Sequence, residues 1–255
     1  MGIVNLTPDS FYAGSRAQGD AALERMHQFW EEGADVIDLG ACSTRPGSVQ
    51  PSLEEEWSRL EPVLKQILRF AQNDRRISID TYRPEIVKKA YDIIGPFLVN
   101  DVGGGEAEML QTVGQLSLPY VAMHGRPFQG DIVADVLDFF RTFSHKAQDA
   151  GIGEWLLDPG FGFGKTLEEN YELLRRLDEV AAAFPQETFV GVSRKSMIYK
   201  ALGIAPEEAM PATQVVQFEA LRKGATWLRV HDVAAAVQTA RLYSTIYTSS
   251  PGAAK

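Results

Sequence analysis

The sequence predicts a single-domain α/β fold of the TIM class, a (β/α)8 barrel, and three observations carry that prediction. Eight short apolar, β-rich runs recur along the 255 residues, each ending in a polar residue. The runs are near-continuously apolar rather than alternating, as strands buried on both faces are. Helix-like segments follow each run, and eight such units in this length match the arithmetic of a barrel. A doubly wound open sheet is the runner-up. The regular count and the lack of a G-x-G-x-x-G turn argue against it.

The predicted strands are residues 2–5, 36–40, 77–80, 97–101, 120–124, 155–158, 189–193 and 227–231. The helical segments are roughly 20–32, 53–71, 84–94, 106–115, 131–150, 167–183, 206–223 and 232–247. In the second helix Leu53, Trp57, Leu60, Leu64, Ile67 and Leu68 recur at steps of three and four, one face of a helix. Ser52 with Glu55 three residues on forms a capping box, and Thr166 is placed to cap the sixth helix. Pro84 sits in a first turn, where its missing N–H is harmless. Gly33, Gly151 and Gly224 follow helices, where a left-handed residue is wanted. No linker or charge block interrupts the series, so residues 1–248 read as one domain and 249–255 as a disordered tail. The chain begins almost inside strand 1; either the sequence is truncated or the barrel floor lacks a covering segment.

A hydrophobic content of 45% is enough for a full core. The net charge of −9 argues against a nucleic-acid-coating surface but does not forbid an anionic substrate, because an acidic chain can carry a local basic pocket. One cysteine, Cys42, excludes internal disulfides and suits a reducing, cytoplasmic compartment. No apolar run approaches the roughly 18 residues of a membrane span.

In such a barrel the active site lies at the carboxyl ends of the strands. Those ends carry Asn5, Asp38, Asp80, Asn100, His124, Asp158, Ser193, Arg229 and His231. Any one alone reads more readily as a cap or a loop-fixing acceptor; the whole set, converging on one mouth, does not. Asp80, Asn100 and Asp158 offer two carboxylates and an amide, which suit a flat heterocycle rich in N–H groups. Met123 and Phe163 are either walls for a ring face or ordinary core. The cations come from elsewhere. Ser193-Arg194-Lys195-Ser196 and Arg229-Val230-His231 follow strands 7 and 8, the habitual phosphate corner of these barrels. Arg229 and His231 lie two apart on a strand and point the same way. An arginine inside an apolar run calls for a buried anionic partner; a solvated basic surface is the alternative.

The stretch from Trp155 to Thr166 ends an apolar run in Asp158, then breaks into Pro159-Gly160-Phe161-Gly162-Phe163-Gly164-Lys165. It is no Walker A loop, because Pro159 occupies the position of the required first glycine. The loop after strand 2, Cys42 to Gly47, either closes over substrate or is a plain connection. Cys42 lacks an evident base and is not read as a nucleophile. Zinc spacing such as H-E-x-x-H is missing. Mg²⁺ bridging a pyrophosphate fits better, because it needs few protein ligands.

Together the motifs resemble the dihydropteroate synthase family of folate-pathway enzymes over nearly the whole chain. They are Asn5-Leu6-Thr7-Pro8-Asp9-Ser10-Phe11, Ser43-Thr44-Arg45-Pro46-Gly47, Ser78-Ile79-Asp80-Thr81 and Asn100-Asp101-Val102. Met123-His124, the run Asp158 to Thr166, Ser193-Arg194-Lys195-Ser196 and Arg229-Val230-His231-Asp232 complete the series. The resemblance implies that a pterin bearing a CH2-pyrophosphate joins 4-aminobenzoate, with loss of pyrophosphate. By position it implies that Asp80, Asn100, Asp158 and Lys195 hold the pterin, with Met123 against it. Asn5, Arg229 and His231 would hold the pyrophosphate, Asn5 also being the Mg²⁺ ligand. Thr44 and Arg45 would contact substrate from the second loop, and Phe163, Lys195 and Ser196 would line the aminobenzoate site. A homodimer built through the outer helices and a role as sulfonamide target are also implied.

The sequence departs from the family at Tyr12-Ala13, where an acid is usual, at Gly40-Ala41-Cys42, and at Gly125-Arg126-Pro127. A pterin-binding methyltransferase barrel would share the ring pocket but not need Arg229 and His231. A non-catalytic pterin binder draws support only from the altered first loop.

Overall fold

The computed structural model describes residues 1–6, 15–42, 50–70, 76–128 and 130–247. Eight strands alternate with helices. The strands are β1 (Gly2–Asn5), β2 (Val36–Gly40), β3 (Arg76–Asp80), β4 (Leu98–Asp101), β5 (Tyr120–Met123), β6 (Trp155–Asp158), β7 (Phe189–Val190) and β8 (Trp227–Leu228). The helices are α1 (Ser15–Glu31), α2 (Leu53–Phe70), α3 (Pro84–Ile94), α4 (Ala107–Gln115), α5 (Ile132–Ala150), α6 (Leu167–Arg175), α7 (Leu177–Ala183), α8 (Ser196–Leu202), α9 (Met210–Arg222) and α10 (Val233–Tyr247).

β1 to β6 form one parallel sheet in chain order, and β7 pairs with β8. Two narrow seams close the cylinder. At one, Leu157 of β6 faces Thr188, its N–H donating to the Glu187 carbonyl at 3.0 Å. At the other, Ile3 N–H donates to the Val230 carbonyl and Val230 N–H to the Met1 carbonyl, each at 2.9 Å.

The caps behave as their residue types require. Ser52 and Glu55 exchange hydrogen bonds at 3.2 and 2.9 Å. Thr166 and Glu169 do the same at the start of α6. Gly33, Gly151 and Gly224 all have positive φ.

Four details differ from the sequence expectation. β7 and β8 are two residues each; past Leu228 the pairing continues only as single contacts, Arg229 N–H to the Val190 carbonyl at 2.9 Å and Val230 against β1. The segment 167–183 breaks into α6 and α7 at Arg176, whose φ of −112° and ψ of 20° are not helical. α8 is unanticipated; at seven residues it is too short to show a period. α1 begins at Ser15, earlier than expected. The tail 249–255 lies outside the described residues.

Parity along each strand sorts the side chains. Val4, Ile37, Leu39, Ile77, Ile79, Val99, Tyr120, Ala122, Leu157 and Val190 join the large core between sheet and helices. A second cluster, Met1, Val36, Leu98, Val121, Leu156 and Phe189 with Trp227 against it, fills the barrel floor. Two residues further along those same faces stand Asp38, Asn100, Met123, Asp158 and Arg229. An apolar plug thus lies directly under a polar layer, and the polar layer is the floor of the mouth.

The shell packs closely at one helix pair. A Cβ on Gly114 in α4 would fall 1.8 Å from the Ala150 carbonyl oxygen at the end of α5. Gly114→Ala is therefore expected to cost at least about 1–3 kcal/mol by overpacking. Thermal unfolding should show the midpoint falling by roughly 2–4 °C per kcal/mol.

Candidate active site

The polar layer is built around Arg229. Its Nε donates to Asp38 Oδ2 at 2.7 Å, and its Nη2 donates to Asp80 Oδ2 at 2.6 Å. Asp38 also accepts from Ser78 Oγ at 2.6 Å and from Asn100 Nδ2 at 3.0 Å. Asp38 is 0% exposed and Asp80 7%, so neither charge is hydrated and both need these partners. Burial works to lower the Arg229 pKa, but the two acids outweigh it and hold the guanidinium firmly protonated. Burial pushes the Asp80 carboxyl up, Arg229 opposes that push, and Asp38 adds to it. The Arg229 side chain remains 21% exposed.

Asp158 ends β6, and its Oδ1 accepts from the Gly160 N–H at 2.8 Å. Burial raises its pKa; Lys195, the Gly160 N–H, Lys165 and Arg229 draw it back down. Lys195 reaches the same space from the loop after β7. Its Nζ donates to the Phe161 carbonyl and stands 4.5 Å from the centre of the Phe163 ring. A Cβ on Gly191 would come within 3.9 Å of both Lys195 Nζ and Arg229 Cβ, so both side chains pass close to that glycine. Burial lowers the Lys195 ammonium to about 8, with Asp158 the main opposing influence.

The turn that delivers Lys195 is unusual. Arg194 has φ of 52°, a left-handed conformation disfavoured for a residue with a Cβ. It is held there by a two-pronged pair with Asp232, at 2.8 and 2.7 Å, and by its N–H donating to Thr213 Oγ1 at 3.1 Å. Ser196 opens α8 beside it. His231 bonds Ser193 through its backbone N–H at 3.2 Å and its Nδ1 at 3.3 Å.

Most of the expected residues meet at one mouth. Asp80, Asn100, Asp158, Lys195 and Arg229 share the polar layer, and buried Met123 and half-buried Phe163 border it. Asn5 joins them: its Oδ1 and the Asp80 side chain flank Gly40, each 3.6 Å from where a Cβ would sit. Thr44, Arg45, Tyr12 and Ala13 lie outside the described residues. The acids and the cations, drawn from different strands, stand side by side at the mouth, and Arg229 has the buried anionic partners that an arginine in an apolar run calls for. Arg229 lies in hydrogen-bond contact with the acids, because a guanidinium drawn into the barrel must be neutralised there.

Two residues escaped selection from the sequence. Asp38 was visible only as one strand end among many, and its central place depends on side chains up to 191 residues away. Lys165 belonged to a glycine loop that resembles no known phosphate motif. Its Nζ donates to three backbone carbonyls.

Among the described residues no group of three or more His, Cys, Asp or Glu side chains is placed to hold a metal. Asn5 offers one hard oxygen donor at the mouth. That set fits Mg²⁺ taking most of its ligands from substrate oxygens and water. No helix among the described residues is long and apolar enough to cross a membrane.

Comparison with known proteins places this geometry. Residues 1–231 match the model of a family described as pterin binding enzyme. Dihydropteroate synthase of Escherichia coli K12 is 37% identical over 256 aligned residues, covering 95% of this chain and 89% of that protein. The structure of dihydropteroate synthase from Clostridium difficile in the presence of pteroic acid superposes with a TM-score of 0.92 at 36% identity, covering 98% of this chain and 96% of that one. The Xanthomonas albilineans enzyme with 4-aminobenzoic acid gives 0.91 at 36% identity, over 98% and 93% of the two chains.

Removing Asp38 would leave Arg229 short of a partner and Asn100 and Ser78 without their acceptor. Asp38→Ala is expected to destabilise the fold by about 3–5 kcal/mol, the scale of breaking a buried pair. Urea unfolding should show the lower midpoint, with Asp38→Asn less affected.

Proposed function

The chain belongs to the pterin-binding enzyme family and has dihydropteroate synthase function, and from that premise we propose how its barrel mouth performs the reaction. A dihydropterin bearing a CH2-pyrophosphate and 4-aminobenzoate are joined with loss of pyrophosphate. The observation that supports this reading is the polar layer itself: carboxylates, an amide and a partly exposed guanidinium on the floor of one apolar-plugged barrel.

Asp158 and Asn100 meet the N–H-rich edge of the pterin, and Lys195 donates to its ring acceptors. Met123 covers a ring face. Arg229, with His231 and Asn5, receives the pyrophosphate. Asn5 and the phosphate oxygens would hold Mg²⁺, which supplies neutralising charge for the departing group. Heterolysis of the CH2–O bond leaves positive charge on the exocyclic carbon, spread into the electron-rich pterin. Asp80 and Asp158 favour that charge, and Arg229 favours the negative charge growing on the leaving oxygen. The weakly basic amine of 4-aminobenzoate, lying by Phe163, Lys195 and Ser196, then adds and loses a proton. These donors are fixed before substrate enters, so no reorganisation is needed at the moment of bond breaking. Thr44 and Arg45 are assigned to substrate through the family resemblance.

We also infer a homodimer, working in a reducing cytoplasm. Val215 on α9 and Leu242, Ile246 and Tyr247 on α10 are each more than half exposed, and α9 and α10 pack on one another. An apolar face of that kind supports self-association.

Pyrophosphate release by the purified protein, with and without 4-aminobenzoate, tests the activity directly. Arg229→Ala should lower turnover by well over ~100-fold, the scale of losing one electrostatic stabiliser, and Asp158→Ala likewise. Near-normal turnover in either refutes its role. A lysine whose pKa is lowered to about 8 is charged below that pH and neutral above it. Substrate affinity should therefore fall as pH rises through about 8, measured by titration with the pterin pyrophosphate.

A further inference from the structure

Lys165 makes an arrangement that the reaction as described does not use. All three N–H donors of an ammonium are matched by backbone carbonyls: His124 at 2.9 Å, Gly160 at 2.9 Å and Phe163 at 3.1 Å. The first belongs to the end of β5, the other two to the glycine loop after β6. One side chain thus ties two neighbouring mouth loops together and gathers both sides of the glycine loop.

The loop is shaped for that contact. Gly160, Gly162 and Gly164 have φ of 72°, 80° and 61°. A Cβ at Gly160 would lie 1.9 Å from the His124 oxygen, so only glycine lets the chains approach. Three converging carbonyl dipoles repel one another unless a cation sits among them. A neutral amine would turn a lone pair toward one of them. Burial lowers the Lys165 ammonium to about 8, while Asp158, Asp135 and Glu169 help to keep it charged.

The peptides held this way also reach the proposed substrate subsites. Gly160 gives its carbonyl to Lys165 and its N–H to Asp158 Oδ1. Phe163 gives its carbonyl to Lys165, donates its N–H to the Gly160 carbonyl at 3.1 Å, and presents its ring to Lys195. We propose that Lys165 is a positioning residue for both substrates, setting the Asp158 carboxylate and the Phe163 ring relative to each other through the peptides of Gly160 and Phe163. This rests on the assignment of Asp158 to the pterin and Phe163 to 4-aminobenzoate.

The test compares Lys165→Met, which keeps length and loses charge, with Lys165→Arg, which keeps charge. In Lys165→Met the KM for 4-aminobenzoate and the Kd for the pterin pyrophosphate should each rise roughly 10- to 100-fold, as for groups displaced by about 1 Å. Lys165→Arg should restore much of the loss. A purely structural role would lower the active fraction and leave both constants unchanged, which would overturn the proposal. Hydrogen exchange supplies an arm that needs no turnover. The amides of 160–164 should exchange faster in Lys165→Met than in the unaltered protein, and equal rates would count against the clamp. If Lys165→Met fails to fold, Lys165→Gln takes its place: both constants at unaltered values, with the 160–164 amides exchanging no faster than in the unaltered protein, overturn the proposal. Unaltered protein that releases no pyrophosphate defeats the synthase reading instead, and exchange then decides the clamp alone.

Discussion

Burying one guanidinium inside a barrel is the constraint on which the rest depends. Arg229 comes off a strand whose neighbours are apolar, so its charge must be met within the cylinder. Asp38 and Asp80 meet it, and Ser78 and Asn100 complete the hydrogen bonding of Asp38. The desolvation cost of such a cluster is several kcal/mol per ion before compensation, so it is seldom retained for stability alone. What it offers is a fixed field. The apolar plug beneath keeps water from screening the charges from below, while the Arg229 side chain keeps 21% of its surface exposed.

The rest of the mouth follows from parity and from glycine. Side chains alternate across the wall, so Val36, Leu98, Leu156 and Trp227 on the floor are each followed two positions on by a polar residue, Asp38, Asn100, Asp158 and Arg229. Register then sets Asn5 beside Gly40 and Gly40 beside Asp80, and the missing side chain leaves room between two polar ones. Where regular pairing thins, at β7 and β8, individual contacts take over. The left-handed Arg194, pinned by Asp232 and Thr213, is the means by which a short strand turns Lys195 inward.

Much of this was legible in the chain. The apolar runs, the capping residues Ser52 and Thr166, and the glycines after helices report local conformational preferences, which hold wherever the segment lies. Polar strand ends were legible for the same reason. Which of those ends pair with one another was not. The partners of Arg229 are acids on β2 and β3, far from it along the chain. α8 was hidden because seven residues do not establish a period, and the break at Arg176 because a one-residue irregularity barely disturbs one.

By itself the sequence determined the order and kind of the elements and which polar groups stand at strand ends, since periodicity and capping depend on residues a few positions apart. Only the tertiary structure decided which charge answers which. Asp38 and Arg229 meet because the cylinder closes between β8 and β1, bringing together residues 191 positions apart. The carbonyls around Lys165 carry no side-chain identity at all, so nothing in a string of residue names marks them until the backbone has folded.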